Sequence, residues 1–139
     1  MNKALITTVA LALLASSSLY ITPAYSEEAA EAAVRIPKSA AETWQAIDKA
    51  DQDLTAVVKA GRLNEVHHHA FAIRDLVAAL PAQSKDLDAA QQKSLAANIK
   101  FVATLAQRLD AAGDANDRAA VEINVTKLQG VLTKMRKAR

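Results

Sequence analysis

The apolar faces between Trp44 and Met135 repeat at intervals of three and four residues, and none repeats at two. That rhythm fits the turn of an α-helix and not the pleat of a strand, so these faces can be buried only by packing helix on helix. Little interrupts it. The chain has three glycines and three prolines, which leaves room for a few long elements and short turns. Much of the 51% hydrophobic content is alanine, with only two Phe, two Tyr and one Trp, a balance that favours helix over sheet.

Four helices are predicted. Helix A opens at Ser39-Ala40-Ala41-Glu42, a capping-box pattern, and carries Trp44, Ile47, Asp51, Leu54 and Val58, with Val57 widening the stripe and Gly61 closing it. Helix B begins near Asn64, shows Val66, Ala70, Ile73, Val77 and Leu80, and is expected to stop at Pro81, which lacks an N–H. Helix C starts near Ser84 and carries Leu95, Ile99, Val102, Leu105 and Leu109 before Gly113. Helix D is capped by Asp114, Asn116 or Asp117 and shows Val121, Val125, Leu128, Val131 or Leu132, and Met135. Short connections make sequential helices antiparallel, so the expected fold is all-α: an up-down-up-down four-helix bundle over residues 39–138. The alternative is a three-helix core with helix A as a looser flap.

Residues 1–26 read as a cleaved signal peptide. Lys3 supplies the positive start, Ala4 to Leu14 carries no charge, and Ala24-Tyr25-Ser26 places small residues at −3 and −1, with cleavage expected before Glu27. The uncharged run is short of the roughly 20 residues that span a bilayer. Residues 27–38, rich in Ala and Glu with Pro37 near the end, read as a flexible lead-in. A bacterial periplasm is the expected compartment, with no membrane span in the mature protein.

The formal net charge is +2 at pH 7 and falls by one when Lys3 leaves with the leader. No strong field for nucleic acid or membrane is implied. The absence of cysteine excludes disulfides, thiolate catalysis, cysteine-ligated zinc and covalent c-type haem. No phosphate loop, G-x-S-x-G or HExxH motif is present, so an enzyme is not expected, nor a nucleotide cofactor. Met135 falls at the end of the bundle opposite the histidines, which argues against a Met/His haem and for core packing.

All three histidines sit together as Val66-His67-His68-His69-Ala70. Successive helical side chains diverge by about 100°, so a regular helix cannot aim all three rings at one ion. His69 falls near the apolar stripe, His68 points outward, and His67 lies on the other flank. The antiparallel topology gathers at that end Glu65, Asp110, Asp114, Asp117 and Glu122, whereas Lys85, Lys134, Arg136, Lys137 and Arg139 collect at the other. A site built from His67 or His69 with Asp110, Asp114 or Asp117 would suit a copper, nickel or zinc ion. The competing role for an aspartate at a helix start is a cap.

The stretch Leu63 to Pro81, with Leu105-Ala106-Gln107-Arg108-Leu109-Asp110 and Gly113-Asp114, resembles small exported helical bundles that accompany bacterial heavy-metal efflux and resistance genes. The likeness covers roughly residues 40–137 and favours His67 over His68. It implies periplasmic metal handling, namely buffering, delivery or sensing, with an efflux component as partner. The expected metal ligands are accordingly drawn from His67, His68, His69, Asp110 and Asp114. A different class of function, a ligand-free interaction or chaperone-like bundle, predicts an exposed apolar strip around Phe71 and Phe101 and a homodimer.

Overall fold

The computed structural model describes residues 34–138; the expected signal peptide and the start of the lead-in lie outside the described residues. Four helices follow in order: α1 (Ala40–Lys59), α2 (Val66–Gln83), α3 (Ala89–Asp114) and α4 (Arg118–Lys137), with a single 3₁₀ turn at Leu63–Glu65 leading into α2. Each helix packs on its neighbour in sequence and α1 also meets α4, so an antiparallel four-helix bundle results, with α1–α4 as its thinnest seam. Among the described residues no helix is long and apolar enough to cross a membrane.

The helix ends follow from local chemistry. Ser39 caps α1, its Oγ accepting from the Glu42 N–H at 3.3 Å. The Glu42 carboxylate reaches back to the Ser39 hydroxyl and not to its backbone. A full reciprocal box starts α3: the Asp88 carboxylate accepts from Gln91 N–H at 2.8 Å, and Gln91 Oε1 accepts from Asp88 N–H at 2.9 Å. Helix α3 thus begins five residues beyond Ser84, where the sequence alone placed its start. At α4, Asp117 is the cap, accepting from Ala120 N–H.

Two helices end in the same motif. At α1, Gly61 takes φ +74° while Arg62 N–H donates to Val57 C=O and Gly61 N–H to Val58 C=O. At α3 the left-handed position is filled by Asn116, φ +52°, with Asp117 N–H on Ala112 C=O and Asn116 N–H on Gly113 C=O. Gly113, expected to follow the end of this helix, instead lies inside it, buried.

Pro81 does not stop α2 either; the helix runs on to Gln83 with proline in its last turn. Tertiary anchors hold that turn. Leu80 is fully buried, and the Gln83 side chain accepts from Thr43 Oγ1 at 2.8 Å while donating to Pro37 C=O at 2.7 Å. The same amide seats part of the expected lead-in, where Val34 also packs against the core.

The core is apolar and continuous, built around Ile47, Leu54, Ile73, Leu80, Leu105, Leu109 and Leu128. Leu95 and Ile99, expected in the stripe of α3, are only half-buried, because burial on that helix begins at Val102. The thin α1–α4 seam is closed by polar contacts. Arg136 pairs with Asp48 and lies over the Trp44 ring, and Gln129 donates to Asp51 and Thr55. Asp51, which falls within the apolar rhythm of α1, thus meets a neutral amide.

Candidate metal centre

The first turn of α2 lies against the last turns of α3, and the contact between them is unusually tight. A Cβ added to Gly113 would stand 2.5 Å from the Leu63 carbonyl oxygen and 3.8 Å from Val66 Cβ. Glycine is therefore what allows the 3₁₀ turn, and the histidines just after it, to sit down on α3.

Across this junction three side chains converge. An imidazole nitrogen of His67 and one carboxylate oxygen from each of Asp110 and Asp114 all lie within 4.8 Å of one another. Asp110 and Asp114 are one turn apart and so share a face of α3. His67 and Asp110 are half-buried and Asp114 is exposed. Ligands held 2.0–2.2 Å from one ion stand roughly 3–3.5 Å apart, so side-chain rotation closing the gaps by up to about 1.5 Å would bring the three onto one ion.

The electrostatics favour a cation here. Carboxylates in the last turn of a helix add to the negative end of its macrodipole, where lysine or arginine is the stabilising choice. The last turn of α3 holds no basic residue. Neither Asp110 nor Asp114 pairs with a lysine or arginine among the described residues, whereas Glu65 pairs with Arg62 at 2.7 Å and Glu122 with Arg118 at 2.9 Å. Those pairs also temper the charge contrast expected between the two ends of the bundle.

The remaining expected ligands are placed apart from this group. His68 is exposed, its ring centroid 3.9 Å from that of His67 with the planes tilted by 44°. His69 is half-buried on another flank. Burial lowers its pKa from the ordinary value, and Asp53 on α1 is the leading opposing influence. Asp117 is engaged as the α4 cap. Phe71 is half-buried, with the Arg74 guanidinium 4.4 Å from its ring centre, so of the expected apolar strip only Phe101 is exposed. The sequence reading missed Gly113 as the spacer of the site; its signal is a glycine one turn ahead of the Asn116-Asp117 pair that ends the helix.

Compared with protein-family models, curated proteins and solved structures, the chain matches none of them. The functional reading therefore rests on the chemistry of this junction.

Proposed function

We propose that this is a non-catalytic, metal-binding helical bundle that buffers, delivers or senses a divalent transition metal in the bacterial periplasm. The observation that carries the reading is the convergence of His67, Asp110 and Asp114 across the α2–α3 junction. One neutral imidazole with two carboxylates is a borderline-to-hard donor set that suits a divalent first-row ion. The two carboxylates near the end of α3 support it, because neither forms an ion pair with a lysine or arginine among the described residues and the last turn of the helix holds no basic residue. Export is supported by the leader pattern of Lys3, Ala4 to Leu14 and Ala24-Tyr25-Ser26. The sequence resemblance is what supports a role beside an efflux component.

An ion that binds the folded chain and not the unfolded one raises its stability by about 2.7 kcal/mol at 100 times its dissociation constant. Thermal unfolding of the purified protein with excess Zn(II), Cu(II) or Ni(II) should move upward by several degrees for at least one ion. The increase should vanish in His67→Ala. An unfolding temperature that no ion changes, or that rises equally in His67→Ala, overturns the proposal.

A further inference from the structure

Resting on the metal reading above, we propose that the α2–α3 site is a half-shell that passes its ion to an acceptor protein through an imidazole the acceptor supplies. The converging donors are three: His67 in the first turn of α2, and Asp110 and Asp114 at the end of α3. A structural site closes around its ion with four protein ligands, whereas three leave one coordination position to water or to an incoming molecule. That position is reached from solvent, because Asp114 is exposed and His67 and Asp110 are only half-buried. Of buffering, delivery and sensing, delivery is the role such a site serves.

Charge decides which donor enters. Two carboxylates cancel the charge of a divalent ion, so the loaded site is neutral. The C-terminal end of α3 adds partial negative charge beside it, and the last turn of that helix carries no basic residue to offset this. An incoming anion is therefore disfavoured, and a neutral nitrogen donor is not. Imidazole is such a donor and suits zinc, copper and nickel alike. In the exchange, a ring nitrogen of the acceptor shares its lone pair with the ion. The exposed Asp114 oxygen then withdraws with the pair it had shared, so no electron or proton changes hands. His67 and Asp110, the half-buried ligands, release last.

Free imidazole can stand in for the acceptor, and Co(II) reports its own ligands through its visible absorption. The purified protein is loaded with a single equivalent of Co(II) and titrated with imidazole or with azide, beside aqueous Co(II) treated in the same way. Imidazole should change the spectrum saturably while dialysis shows the ion still held by the protein. The preference for imidazole over azide should exceed that of aqueous Co(II) by roughly tenfold. A spectrum that imidazole leaves unchanged until the ion is stripped away overturns the half-shell and leaves the three-residue site standing. A preference no greater than that of the aqueous ion overturns the selection of a neutral donor. A protein that takes up no Co(II) overturns this inference, and one that also takes up no Zn(II), Cu(II) or Ni(II) overturns the site beneath it.

Discussion

Gly113 on α3 sits so near Leu63 in the 3₁₀ turn that a Cβ would come within 2.5 Å of the Leu63 carbonyl oxygen. The neighbour is backbone and cannot swing aside. Helix propensity alone favours Gly→Ala by about 1 kcal/mol, whereas overpacking a close contact costs about 1–3 kcal/mol. Gly113→Ala should therefore destabilise the protein by up to about 2 kcal/mol in denaturant melts, and should weaken metal binding by spreading His67 from Asp110 and Asp114. Gly130→Ala is the matched control. Nothing lies within 4 Å of its Cβ position, so it should gain up to about 1 kcal/mol.

Gln83 holds two segments at once, accepting from the fully buried Thr43 hydroxyl and donating to Pro37 C=O. Gln83→Ala leaves a buried hydroxyl without its acceptor, at a cost of about 1–3 kcal/mol. Equilibrium unfolding should show that loss, and hydrogen exchange should show faster opening of the last turn of α2.

His69 makes stability depend on pH. Burial holds its pKa below the ordinary 6.5; Asp53 and Glu65 oppose the shift, and His68 and Arg62 reinforce it. The unfolded chain then takes up a proton as pH falls through 6.5 while the folded ring resists. Stability is therefore full above that value, declines below it, and levels off once the folded ring protonates. Denaturant midpoints measured with a chelator present, from about pH 8 down to about pH 5.5, should fall on acidification, and His69→Gln should flatten the decline.

The helical repeat, the Ser39 cap and the apolar faces of α1, α2 and α4 were legible in the sequence because each depends on spacing within one helix. The boundaries set by tertiary contact were not. Pro81 reads locally as a stop, yet burial of Leu80 and the two bonds of Gln83 carry α2 past it. Gly113 reads as a terminator because its local neighbours cannot show that Leu63 presses on it from another element. Asn116 took the left-handed position because it tolerates that conformation better than most side chains. Topology alone brought His67, Asp110 and Asp114 to one end of the bundle. Which histidine faced the acids was set by the 3₁₀ turn that fixes how α2 begins.

Calorimetric titration of the purified protein with Zn(II), Cu(II) and Ni(II) tests the metal centre most directly, alongside His67→Ala and the double variant Asp110→Asn/Asp114→Asn. These residues are exposed or half-buried, so the variants should stay folded by circular dichroism. The unaltered protein should bind a single equivalent of at least one ion with sub-millimolar affinity, and both variants should lose that binding. No saturable heat with any ion, or the same binding in all three proteins, would contradict a metal site at the α2–α3 junction.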